Sequence, residues 1–89
     1  MKIKAGFELL DVCGEAVIVA HGKENMDFSK VINLNESAAY LWREVQGLDF
    51  DEELLSILLC REYEVDDDVA ERDSRLIMEQ WLQAGLVEE

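Results

Sequence analysis

The hydrophobic period of this sequence changes once, at residue 35, and this change constrains the fold more than any other feature. Before it, the apolar residues form short β-rich runs, and in the last run Ile32 and Leu34 alternate with Val31 and Asn33. After it, apolar residues recur at the helical spacing i, i+3, i+4 and i+7, namely at Ala38, Leu41, Trp42 and Val45. Because strands alternate with period 2 and helices with period 3.6, the chain is predicted to pass from sheet to helices.

The strand-forming part contains three runs. Residues 7–12 and 16–20 are rich in β-forming residues and are separated by a short turn that contains Gly14, which predicts a hairpin. A polar loop follows, in which His21 is expected to be an exposed imidazole without a ligand. Residues 29–34 then form the third strand. The prediction is a three-stranded antiparallel meander whose first and third strands are edges.

The first two predicted helices have clear signals at their ends. Asn35 is a suitable N-cap for the first helix, and Gly47 is a suitable stop. Before the second helix, Asp49 and Glu52 have the spacing of a capping box. Residues 54–60 of that helix are apolar almost all round, which predicts that it is the most buried of the helices.

The third predicted helix begins at the acidic residues 66–68, whose charge suits a helix N-terminus, and runs to Ala84 before Gly85. Asp73 and Gln80 are expected to border its apolar stripe, and Trp42 and Trp81 are expected in the core. The predicted stripe consists of Val69, Leu76, Ile77, Trp81 and Ala84.

These elements predict one α+β domain over residues 1–89. The order strand, strand, strand, helix, helix, helix, with helices on one face of the sheet, is winged-helix-like. A chain of 89 residues with 49% hydrophobic residues is enough for one core and too small for two. The sequence contains no proline and no repeat, so nothing in it indicates an internal linker.

Acidity is concentrated in the helical part. The chain has a formal net charge of -13, and residues 1–35 contain five acids and four lysines, so residues 36–89 carry a net charge of -12. Phosphate binding requires clustered Lys and Arg, and the charge therefore argues against nucleic acid as a partner. No apolar run is long enough to predict a membrane span or a signal peptide, and a cytoplasmic protein is expected.

The sequence contains few residues with catalytic potential. It has one His and two distant cysteines, Cys13 and Cys60, which are expected as reduced thiols in or near the core, with a long-range disulfide as the alternative. The acidic run at residues 62–68 lacks the Gly and distal Glu of a calcium loop. These observations predict a protein that is not an enzyme and holds no metal or cofactor.

The remaining feature is the third strand as an open edge. Its unpaired backbone groups, over residues 30–34, are able to pair with an extended peptide by β-augmentation. Every meander has edges, and a lysine such as Lys30 commonly protects one from aggregation, so topology alone leaves this interpretation open.

Two segments of the sequence resemble the PqqD family of peptide chaperones in pyrroloquinoline quinone (PQQ) biosynthesis. One is the strand-to-helix segment of residues 31–42, with its Asn-Glu-Ser helix start and the later Gly47. The other is the ending at residues 81–87, Trp-Leu-Gln-Ala-Gly-Leu-Val, preceded by Asp73 where the family often has an aspartate. The family is the standalone form of the RiPP recognition element, which serves ribosomally made and post-translationally modified peptides.

The resemblance implies that the leader of a precursor peptide pairs as an extra antiparallel strand with the third strand, beside the third helix. It also implies presentation of that peptide to a modifying enzyme, commonly a radical SAM maturase that carries its own cofactors. The residues implied for the ladder are Lys30, Val31, Ile32, Asn33 and Leu34, and those implied for the helix wall are Val69, Arg72, Asp73, Leu76 and Gln80.

Several alternatives stay open on the residues themselves. Asp73 is equally suited to anchoring a backbone N–H or to a local pair with Arg72 or Arg75, and a position in the core is the alternative for Leu76. For the whole chain, the alternatives are an acidic winged-helix regulator and a structural dimerisation module that pairs through its edge strand. A monomer or a weak homodimer is expected.

Overall fold

The computed structural model describes residues 1–21 and 26–89, and the side chains of residues 21–30 lie outside what it describes. The fold is α+β, as predicted, with a sheet followed by three helices. Its elements are β1 (Lys2–Ile3), β2 (Phe7–Val12), β3 (Glu15–His21), β4 (Met26–Leu34), α1 (Glu36–Glu44), α2 (Glu52–Tyr63), α3 (Asp67–Gln83) and β5 (Val87–Glu88).

The main sheet is an antiparallel meander in the order β2-β3-β4, which confirms the predicted topology. The β2–β3 hairpin closes with Val12 opposite Glu15, so the turn has two central residues, Cys13 and Gly14. Their φ values are 54° and 82°. Two positive φ values are typical of a type I′ turn, whose twist matches that of the strands, and Gly14 adopts this conformation without steric cost.

A second, two-stranded sheet was not predicted. β1 and β5 pair antiparallel, with Lys2 opposite Glu88 and Ile3 opposite Val87, and so join the two ends of the described chain. Leu86 and Val87 beside this pairing are buried. Strands of two residues are too short to show a period, which explains why the sequence pattern did not reveal them.

The core contains the two tryptophans, as predicted. Trp42 and Trp81 are fully buried and pack edge to face, with ring centroids 5.3 Å apart and an interplanar angle of 88°. Phe50 packs edge to face against Trp81 at 6.0 Å. Neither indole N–H has a hydrogen-bond partner within the described part of the chain, so apolar packing holds the pair in place.

The helix starts are set by side-chain caps, and one predicted cap was wrong. Asn35 caps α1 as predicted, with its Oδ1 accepting the Ala38 N–H at 2.9 Å. The cap of α2 is Asp51, which accepts the Leu54 N–H at 2.9 Å. Asp49 lies before the helix and pairs with the Met1 amino group at 2.6 Å. The spacing of Asp49 and Glu52 predicted a cap at Asp49, but it contains no information on an ion pair with a residue distant in sequence.

The prediction that the second helix is the most buried was also wrong. Among the 12 residues of α2, Leu55 and Leu59 are buried, whereas α1 buries four of its nine residues. Ile57 is 47% exposed. An apolar pattern on every side of a helix does not say which side meets the core, and here only one stripe of α2 does.

The apolar stripe of α3 differs from the predicted one. Its buried residues are Ala70, Ser74, Ile77 and Trp81, at spacings of four, three and four. Of the predicted stripe, Leu76 and Ala84 are exposed and Val69 is half-buried. Ala70 belongs to the core cluster, and Ser74 faces α2, where Ser56 donates a hydrogen bond to the Ser74 hydroxyl at 3.3 Å. The buried side of α3 therefore includes the small residues Ala70 and Ser74, while the larger Leu76 is left exposed.

Both cysteines are free thiols, so the long-range disulfide is absent. Cys60 is half-buried on α2, close to the expected position. Cys13 is exposed in the hairpin turn, and the expectation that it lies in or near the core was wrong. Cys13 is one of the two central residues of the turn, beyond the last paired residues of the hairpin, so it lies outside the packed part of the sheet.

Candidate functional site

β4 is an edge strand with one open side. In the described part of the chain it pairs only with β3. The alternation predicted for its second half is confirmed, since Ile32 is half-buried and Leu34 buried, while Val31 and Asn33 are exposed. The strand therefore has an apolar inner face, an exposed outer face and a row of backbone groups that no described strand pairs with.

The pairing of β4 with β3 is interrupted by a large bulge. Leu34 is opposite Ala16 and Ile32 is opposite Ile18, but Asp27 is opposite Ala20. Four residues of β4, 28–31, therefore face the single residue Val19. The regular part of the predicted ladder is residues 32–34, while Lys30 and Val31 lie in the bulged part. A bulge bends and twists the strand locally, so these two residues present their backbone at a different angle.

One side of α3 combines polar and apolar residues outside the core. The helical period places Val69, Asp73, Leu76 and Gln80 together beside the buried stripe, and we call these four residues the α3 outer flank. Val69 and Asp73 are half-buried, and Gln80 is exposed. Leu76 is 57% exposed, so its interpretation as a core residue was wrong.

The charged residues of this helix form weak surface pairs. The Arg72 Nε lies 3.7 Å from the Asp73 Oδ1, with 70% and 47% of the two side chains exposed. Arg75 instead pairs with Glu52 of α2 at 3.1 Å. The local contact of Asp73 is therefore with Arg72, and an exposed pair of this length contributes little to stability and exchanges readily.

β4 and α3 both contribute side chains to the core. Leu34 and Ile77 belong to the same buried cluster, and the half-buried Ile32 packs against it. Of the predicted site residues with described side chains, Leu34 is core, while Val31, Asn33, Arg72, Leu76 and Gln80 are exposed. The side chain of Lys30 lies outside the described part, as does the imidazole of His21.

Two other concave surfaces were missed by the sequence analysis. The larger, of about 650 Å³, lies between α2 and α3 and includes Ile57 and Cys60. The smaller, of about 540 Å³, lies where the sheet meets α1 and includes Asn33 and Leu34 at the end of β4. The sequence signal for the larger surface was the apolar pattern on all sides of the second helix. One side of such a helix packs in the core, so apolar residues on another side indicate a second contact surface.

Three described side chains have raised pKa values. Burial, together with the Asp67 carboxylate 3.4 Å from the thiol, raises the pKa of Cys60, which keeps the thiol protonated and weakly nucleophilic at neutral pH. Burial and nearby acids likewise raise the pKa of Tyr40 and that of Tyr63.

Among the described residues, no group of three His, Cys, Asp or Glu side chains is arranged to hold a metal ion. None of the described helices is long and apolar enough to cross a membrane.

Comparison with known proteins identifies the family. The model of the family described as coenzyme PQQ synthesis protein D matches residues 15–87, which include β3, β4 and all three helices. The chain belongs to the PqqD family. The resemblance carried by the helix start after β4 and by the ending after α3 is thereby confirmed.

A solved structure has the same fold as this PqqD family member. It is described as TbiB1 in complex with the TbiA(beta) leader peptide, and it aligns with a TM-score of 0.74 and 22% sequence identity over 99% of this chain and 95% of that one. The alignment spans nearly the whole chain and so includes most of the residues before position 15, which the family model does not cover. No curated protein sequence matches the chain.

Proposed function

We propose that this PqqD family member binds the leader of a ribosomally made precursor peptide and presents it to a separate modifying enzyme. The observation that carries the proposal is the combination of an open β4 edge with the exposed apolar residue Leu76 on the α3 outer flank. Membership of the family and the fold shared with a protein that was solved with a leader peptide support it.

The peptide would add to β4 as an antiparallel strand. Regular pairing is expected along residues 32–34, where β4 itself is regular, and a change in peptide direction is expected at Lys30 and Val31. Backbone hydrogen bonds of this kind depend little on sequence, so they provide affinity for any extended peptide. The bulge therefore limits the regular ladder to the end of the strand next to α1.

Sequence selection would come from the α3 outer flank. Leu76 offers an apolar surface for a peptide side chain, and Gln80 and Asp73 offer hydrogen-bonding groups beside it. Arg72 would contribute by releasing Asp73 from their long ion pair or by contacting an acidic peptide residue itself. Alternate residues of an extended peptide point the same way, so an apolar residue every second position is the expected pattern.

We infer that the chemistry belongs to the partner. This chain would act without a catalytic group, metal or cofactor of its own, and a radical SAM maturase is the proposed partner because such enzymes commonly serve this family. A monomer with one peptide site is the simplest active form. The proposal does not depend on PQQ being the product, since the ladder is indifferent to most of the peptide sequence.

The test is an NMR titration of the ¹⁵N-labelled protein. The probes are overlapping synthetic peptides tiled across the short open reading frames that neighbour its gene. Binding should perturb the amides of residues 30–34 and of the α3 outer flank in one saturable process. A peptide that binds but perturbs only other residues would contradict the proposed site.

Substitution of the edge strand tests the ladder directly. Val31→Pro removes one backbone N–H, which the proposal places on the open side of β4, so peptide affinity should fall while the urea unfolding midpoint stays nearly unchanged. Val31→Thr keeps the N–H and the shape of the side chain and serves as the matched control. Equal affinities for the two variants would argue against pairing of the peptide with the bulged part of β4.

A further inference from the structure

α2 and α3 enclose a surface groove that the proposed peptide site does not use. We call it the α2–α3 groove, and it has a volume of about 650 Å³. Ile57, which is 47% exposed, offers an apolar contact in it, and Cys60 is half-buried beside it. Four carboxylates also line it, those of Glu52, Glu53, Asp67 and Glu71.

The groove lies on the other side of α3 from the α3 outer flank. The helical period places Asp67, Glu71 and Arg75 along one side of the buried stripe, and all three line the α2–α3 groove. Leu76 and Gln80 lie on the opposite side of that stripe. A molecule in the groove and a peptide on the outer flank would therefore contact α3 without competing for the same side chains.

Charge determines which molecules suit the groove. Its four carboxylates face only two guanidinium groups, those of Arg61 and Arg75, and Arg75 is already paired with Glu52 at 3.1 Å. The surrounding residues 36–89 carry a net charge of -12. A second copy of this chain, nucleic acid or an anionic membrane would be repelled, whereas a basic protein segment would be attracted.

We propose that the α2–α3 groove docks a basic amphipathic helix of the modifying enzyme. An apolar side chain of that helix would contact Ile57, and its Lys or Arg residues would face the carboxylates at the rim, in the manner of a helix bound in a groove. Only the identity of this partner rests on the proposed function. The arrangement holds the peptide and the enzyme on opposite sides of α3.

The probe for this proposal is a synthetic amphipathic helix with leucines on one face and lysines on the other. In NMR titration it should perturb amides of α2 and of the groove side of α3, with an affinity that falls as salt increases. Perturbation of the α3 outer flank instead of the groove, or no binding at low salt, would overturn the proposal.

Matched charge reversals separate docking from general attraction. Glu71→Lys, inside the groove, should weaken binding of the basic helix about fivefold. Glu79→Lys makes the same change of net charge at an exposed position of α3 that does not line the groove, and its effect should be much smaller. Equal losses for both variants would show attraction to total charge and overturn the proposal.

The apolar contact has its own control. Ile57→Ser should weaken binding of the basic helix at high salt. Leu48→Ser, at an equally exposed residue outside the groove, should leave that binding unchanged. Both variants should keep the helical circular dichroism of the parent. Equal binding by Ile57→Ser and the parent would reject the apolar contact and with it the docking geometry.

The two proposals fail separately. If Glu71→Lys keeps full binding of the tiled peptides while its affinity for the basic helix falls about fivefold, both proposals stand. Loss of the groove response with peptide binding intact would reject docking alone. If no tiled peptide binds but the groove behaves as expected, the proposed function fails and the groove remains a site for a basic helix.

Discussion

The buried stripe and the outer flank of α3 both contain large apolar residues, but in opposite environments. Ile77 and Trp81 are buried in the core, while Leu76, next to Ile77 in sequence, is 57% exposed. The buried side contributes to stability through burial of apolar area, at about 25 cal/mol per Å². Leu76 contributes little, so its apolar surface is available to a ligand. Stability therefore depends on the buried side of α3, and the proposed binding on the outer flank of the same helix.

The largest expected effect is on the buried side. Trp81→Ala removes a fully buried ring that packs on Trp42 and Phe50, and it should lower the free energy of unfolding by about 3–5 kcal/mol. Urea denaturation followed by circular dichroism measures the loss. Leu82→Ala, one residue further along α3 and 43% exposed, is the control and should change stability by less than about 0.5 kcal/mol.

A change of volume tests how closely the buried side is packed. Ala70 is fully buried where α3 faces the core, so Ala70→Leu should lower the free energy of unfolding by about 1–3 kcal/mol through overpacking. Thermal unfolding would show a lower midpoint. Val69→Leu, at the adjacent half-buried position, should be tolerated; an equally large loss there would mean that the outer flank is also part of the packed core.

The junction between β4 and α1 offers a third comparison. Asn35 caps α1, and Asn35→Ala should lower the free energy of unfolding by about 1 kcal/mol because the Ala38 N–H loses its acceptor. Asn33→Ala, two residues earlier on the exposed face of β4, should be nearly neutral in urea denaturation. Similar losses in both variants would contradict the separation of the two regions.

The smallest effect on stability is expected at the outer flank. Leu76→Ala should change the free energy of unfolding by less than about 0.5 kcal/mol, because most of the side chain is already in water. Affinity for a bound leader peptide should nevertheless fall about tenfold in fluorescence anisotropy. Leu82→Ala removes the same atoms from the other side of α3 and should leave that affinity unchanged.

Much of the fold was predictable because its signals are local. The three strands, the Asn35 cap and the core position of both tryptophans follow from period, turn chemistry and capping. The capping residue of α2 was predicted as Asp49 and is Asp51, because Asp49 takes part in an ion pair with Met1 that is distant in sequence. The β1–β5 pairing was missed for the same reason, since its partners are at opposite ends of the described chain.

The candidate site was only partly predictable. The edge of β4 followed from strand order, but its bulge depends on the register with β3, which no single strand encodes. The contacts assigned to the α3 outer flank came from the family resemblance and remain a prediction. The α2–α3 groove was visible only as an apparent excess of apolar residues in the second helix, which was interpreted as deeper burial.

The sequence by itself determined where strands and helices form, because period and capping act between residues a few positions apart. It also determined the charge asymmetry and, through residues 31–42 and 81–87, the family. Only the tertiary structure decided which side of each helix is buried. That choice depends on which volumes fit together: Ala70 and Ser74 allow α3 to pack against the core, and Leu76 is thereby left in solvent.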